Sequence, residues 1–80
     1  MQTEKVIRTL TKAVKAFKER QGDKTYTKET LEFLKAANKI GMDHYSSIGE
    51  QTLSIRLRTI VDALWETNND DLALDLQINI

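Results

Sequence analysis

Thr52-Leu53-Ser54-Ile55-Arg56-Leu57-Arg58-Thr59-Ile60-Val61-Asp62-Ala63-Leu64, residues 52–64, decides the fold. Its first half alternates, with Leu53, Ile55 and Leu57 at every second position, which is the pattern of a half-buried strand. The alternation fails across Arg58 to Val61. Leu53, Leu57, Ile60, Val61 and Leu64 instead recur with the helical period and share one face. The segment therefore reads as a helix over about residues 48–66, with Trp65 at the edge of its stripe and Ile55 off it. Ser47, with Glu50 three residues on, has the form of a capping box at its start.

The same period runs through the first segment. Val6, Ile7, Leu10, Ala13, Val14 and Phe17 fall on one face, and Lys5, Arg8, Lys12 and Lys15 on the opposite one. Thr3 can cap this helix, and Gln21-Gly22-Asp23 ends it after about five turns. Residues 24–26 read as a linker. Thr27 is placed to cap a second helix over residues 28–40, with Leu31, Leu34, Ala37 and Ile40 as its apolar row, Phe33 beside the row, and Gly41 as its stop. Residues 42–46 are irregular.

The tail poses the strand-or-helix question again. Leu72, Leu74, Leu76, Ile78 and Ile80 alternate strictly with Ala73, Asp75, Gln77 and Asn79, as in a strand. A single strand has nothing to pair with among helices. Leu72, Ala73, Leu76 and Ile80 also suit a short helix capped by Asp70, and the helix is preferred. The expected fold is all-α: a small three-helix bundle with a short C-terminal helix or strand, forming a single helical domain over residues 1–80. Its core is expected to comprise Val6, Leu10, Val14, Phe17, Leu31, Leu34, Leu53, Leu57, Ile60 and Leu64. The absence of proline and the three glycines agree with a helical class.

Charge is unevenly distributed. Residues 1–40 hold ten Lys or Arg against five Asp or Glu, and residues 41–80 hold two against seven, so the net zero divides into +5 and −5. Such polarity bears on partners: the basic half suits phosphates or acidic proteins, and the acidic half suits basic ones, another copy of the chain included. There is no cysteine, hence no disulfide framework and no thiolate chemistry. Met1-Gln2-Thr3-Glu4-Lys5 lacks the apolar core of a signal peptide, and no run is apolar enough to span a bilayer. A cytoplasmic location and no membrane partner are expected.

Chemistry is poorly provided for. His44 is the only histidine; Asp43 and Glu50 are its nearest companions in reach. A metal site needs three or four converging ligands, so His44 reads as a loop residue. Asp70-Asp71 reads as a helix cap rather than a catalytic pair. No glycine-rich phosphate loop or nucleophile elbow is present. No catalytic residue, cofactor or metal is expected, and the chain does not read as an enzyme.

Ala36-Ala37-Asn38-Lys39-Ile40-Gly41-Met42 resembles the small-residue and glycine pattern of a helix-turn-helix. That resemblance implies DNA binding, with Tyr45, Ser46 and Ser47 facing the major groove. Ile48 comes one place late for it, and Glu50 would repel phosphate. Asp43 to Leu53 resembles the Asp-x-Phe-x-x-Leu-Gly-Gly-x-Ser-Leu turn of acyl and peptidyl carrier proteins, with Thr52 in the place of the serine that carries phosphopantetheine and Glu50 in that of the second glycine. This likeness covers eleven residues of eighty.

Apolar surface is the more telling feature. Ile55 and the row Leu72, Leu74, Leu76, Ile78 and Ile80 exceed what three helices need. With the basic face Lys5, Arg8, Lys12 and Lys15, they are the expected partner-binding residues. The expected function is that of a small regulatory or adaptor protein acting by protein–protein binding, as a homodimer; a helix-turn-helix-like DNA-binding regulator is the alternative, and a carrier-like domain the third.

Overall fold

The computed structural model describes residues 3–21, 26–40 and 49–80. They form four helices, α1 (Thr3–Gln21), α2 (Lys28–Ile40), α3 (Glu50–Glu66) and α4 (Asp70–Gln77), with no strand among the described residues. The expected all-α fold is thus observed, and the tail takes its helical form. A helix pays its own backbone hydrogen bonds, whereas a lone strand leaves a row of amides unpaired. Gly22, Gly41, Asp43, His44 and the Tyr45-Ser46-Ser47 run lie outside the described residues, as do the side chains of Thr3 and Ile40.

The helices close a ring. Each packs on its neighbour in sequence, most extensively α3 against α2 and α4, and α4 completes the circuit against α1. Among the described residues the α1 and α3 backbones sit diagonally and do not approach one another. Side chains fill the centre: Val6, Ile7, Leu10 and Phe17 from α1, Phe33 and Ala37 from α2, Leu53, Leu57, Ile60, Val61 and Leu64 from α3, Ala73 and Leu76 from α4. Val14 and Leu34, expected in the core, pack against its edge.

The expected face of α2 needs correction. Thr30, Phe33 and Ala37 are its buried residues, and Leu31 is 45% exposed. Two contacts set this phase. The Phe33 ring lies 4.5 Å from that of Phe17, tilted by 51°, a favoured aromatic geometry. Thr27 caps α2 as expected: its Oγ1 accepts from the Thr30 backbone N–H at 3.2 Å, and the two hydroxyls lie 3.0 Å apart. With its hydroxyl so satisfied, Thr30 enters the interior at little cost.

The α3–α4 junction is a tight reversal. Thr67 is the C-cap of α3. Asn68 follows at φ 62°, the left-handed region that asparagine tolerates better than most residues. The Asn68 N–H donates to Trp65 O at 3.2 Å and the Asn69 N–H to Leu64 O at 2.9 Å, which together make a Schellman motif. Asn69, not Asp70, stands at the N-cap of α4, and it makes no side-chain cap bond there. Its amide is used elsewhere: Nδ2 donates to Thr67 Oγ1 at 2.8 Å, and Oδ1 accepts from Arg20 at 3.0 Å. Helix α3 starts at Glu50 with extended Gly49 as N-cap, so Glu50 occupies the first helical position rather than the third position of a capping box.

Candidate protein-docking surface

With α4 helical, the five aliphatic residues of the tail no longer share one side. Leu76 is fully buried and Leu72 partly so, both within the chain's own core. Leu74 and Ile78, one turn apart, are left 52% and 76% exposed. Ile80 turns towards α3, where Arg58, Val61, Asp62, Trp65, Gln77 and Ile80 line an open groove of about 540 Å³. The indole Nε1–H of Trp65 donates to Gln77 Oε1 at 3.4 Å, bridging its two walls. Ile55, 61% exposed, lies on the outward side of α3.

Charge frames this apolar surface. Helix α4 carries Asp70, Asp71 and Asp75 and no cation. Asp71 is engaged with α1: Arg20 donates to its two carboxylate oxygens at 2.9 and 2.6 Å. The pair joins the last turn of α1 to the first turn of α4, where each charge also complements its helix dipole. The Arg20 guanidinium holds the Asp71 carboxyl well below its ordinary value, at about 2. A lowered carboxyl pKa stabilises the fold above the unfolded value of about 4. That contribution is lost as pH falls from about 4 towards 2. In Arg20→Gln the Asp71 carboxyl resonance is expected to titrate in the ordinary range; a midpoint unchanged from the parent would show that the arginine is not the cause.

Lys5, Arg8, Lys12 and Lys15 are all exposed on α1, and none makes an ion pair with another described residue. Of these, Lys12 borders a groove between α1 and α4 that also contains Leu72, Asp75 and Asn79. The structure thus separates the residues expected to bind partners into three sets: the basic face of α1, Ile55 on α3, and the apolar surface of α4. Trp65 and Gln77 join the last set and were not singled out by periodicity. Trp65's place at the edge of the α3 stripe was the available signal.

For DNA binding, Tyr45, Ser46 and Ser47 lie outside the described residues. Of the carrier-like turn, Thr52 is exposed in the first turn of α3, and most of the remainder is outside as well. No group of three or more His, Asp or Glu residues that could hold a metal occurs among the described residues. None of their helices is long and apolar enough to cross a membrane. No protein-family model, curated protein or solved structure matches this chain.

Proposed function

We propose that this chain is a small, non-enzymatic regulatory or adaptor protein of the cytoplasm that binds other proteins through α4 and its groove with α3, and that it acts as a homodimer. One observation carries the reading. Of the six large apolar side chains left exposed among the described residues, Trp65, Leu74, Ile78 and Ile80 lie on α4, at its C-cap or in the groove beside it. An apolar surface set among aspartates suits an amphipathic helix with basic flanks, docked apolar face down. The cysteine-free composition suits a reducing compartment.

The test uses a labelled amphipathic peptide with leucines on one face and lysines on the other. The parent protein is expected to bind it. Leu74→Ser/Ile78→Ser should weaken binding at least about tenfold, equivalent to ~1.4 kcal/mol, without lowering the melting temperature, because both side chains face solvent. Equal binding by parent and variant would remove α4 from the reading. Lys5, Arg8, Lys12 and Lys15, exposed and in no ion pair among the described residues, support nucleic-acid binding as a second reading. Retention of a DNA duplex with a steep salt dependence, lost when Lys5, Arg8, Lys12 and Lys15 become Gln, would favour it instead.

A further inference from the structure

We infer that the outward face of α2 and α3 is the contact between two copies of this chain, related by a two-fold axis lying in that face and crossing the helices. This rests on the homodimer reading above and adds the surface that makes the dimer.

Two grooves lie end to end along the face. Where α2 begins and α3 ends, the first is bordered by Glu29, Glu32, Asp62 and Glu66. Where α2 ends and α3 begins, the second is bordered by Lys35, Lys39 and Arg56. Glu32 and Thr59 border both, so the grooves adjoin. The face is therefore acidic at one end and basic at the other.

The charges along each helix are mixed: Lys28 and Glu32, Glu32 and Lys35, and Arg58 and Asp62 stand at favourable spacings, with like charges beside them. Glu29 and Glu32 are three residues apart; Lys35 and Lys39, and Asp62 and Glu66, are four apart. Like charges at these spacings repel on a helix surface. Glu29, Glu32, Lys35, Lys39, Asp62 and Glu66 make no ion pair with any described residue. A second copy supplies what is missing. The stated axis turns the face end for end, so each acidic end meets the partner's basic end, twice over. Ala36, Thr59 and Ala63, in the middle, are small enough to let the faces meet. A two-fold contact of this kind is self-complementary and closed.

Neither the α1 nor the α4 outer face pairs with its own copy in this way. The outer face of α1 would set Lys5, Arg8, Lys12 and Lys15 against the same cations. Helix α4 would set Asp70, Asp71 and Asp75 against the same carboxylates. Like-charge contacts of that kind select against a pairing. Dimerisation through α2 and α3 also leaves the α4 surface open for a different protein.

Sedimentation equilibrium of the full chain tests this with two variants. Lys35→Glu/Lys39→Glu makes the face acidic along most of its length, and Glu29→Lys/Glu66→Lys makes it net basic, with Glu32 and Asp62 kept. All four positions are exposed, so both variants should keep the helical circular dichroism of the parent. The parent is expected to dimerise, with a dissociation constant that rises at least about tenfold from low to high salt. Each variant alone should be a monomer, and an equimolar mixture should recover the dimer. A parent dimer that persists in both variants would overturn the assignment of this face while leaving the homodimer reading intact. A parent that stays monomeric at low salt would overturn both.

Discussion

Replacing Leu57 with alanine is expected to destabilise the protein by about 2–5 kcal/mol. Leu57 is fully buried at mid-length in α3, the helix that packs most extensively on two neighbours. The truncation removes three buried carbons, losing their transfer free energy, and leaves a void that the surrounding packing only partly closes. The control is two residues away. Ile55, on the outward side of the same helix, should change stability by no more than about 0.5 kcal/mol when cut to alanine. Urea unfolding measures both, as a lower midpoint with unchanged slope for Leu57→Ala. Equal midpoints for the two variants would mean that α3 presents a different face to the core.

The second large effect separates two side chains in the tail. Leu76→Ala should cost about 2–5 kcal/mol, and Leu74→Ala less than about 1. In a strand the two would share a face and respond alike. In the observed helix Leu76 is sealed in the centre of the ring and Leu74 stands 52% exposed on its outer side. A similar loss for both variants would contradict the helix.

How far the sequence discloses this fold follows from those residues. The stripes of α1 and α3 are long and regular, so their inward faces are legible from spacing alone. The tail is not, because a run of alternating aliphatic residues serves two periods and only its packing partners choose between them. On α2 the pattern points to Leu31, yet Phe33 and Thr30 are buried. A threonine counts as polar in any apolar pattern, and nothing in the pattern shows that Thr27 will satisfy its hydroxyl. The capping of α2 by Thr27 was local and could be read; the use of Asn69 to bind Arg20 spans 49 residues and could not.

The candidate surfaces divide in the same way. The basic face of α1 and the displacement of Ile55 are visible along a single helix. The groove bordered by Trp65, Gln77 and Ile80 exists only because α4 lies beside α3. The acidic and basic ends of the α2–α3 face likewise depend on which helices are neighbours. In the sequence the trace of that face is the change of sign along each helix, from Glu29 and Glu32 to Lys35 and Lys39, and from Arg56 to Asp62 and Glu66.

The closing helix of the ring has a kinetic consequence. Eight residues are too few to hold a helix in water without support. Helix α4 exists only while Ala73 and Leu76 are seated in the centre. Its amides should therefore exchange with solvent together, in one sub-global opening, ahead of those of α3. Whatever clamps the outer side of α4 will slow that exchange, and by the same linkage will stabilise the whole bundle.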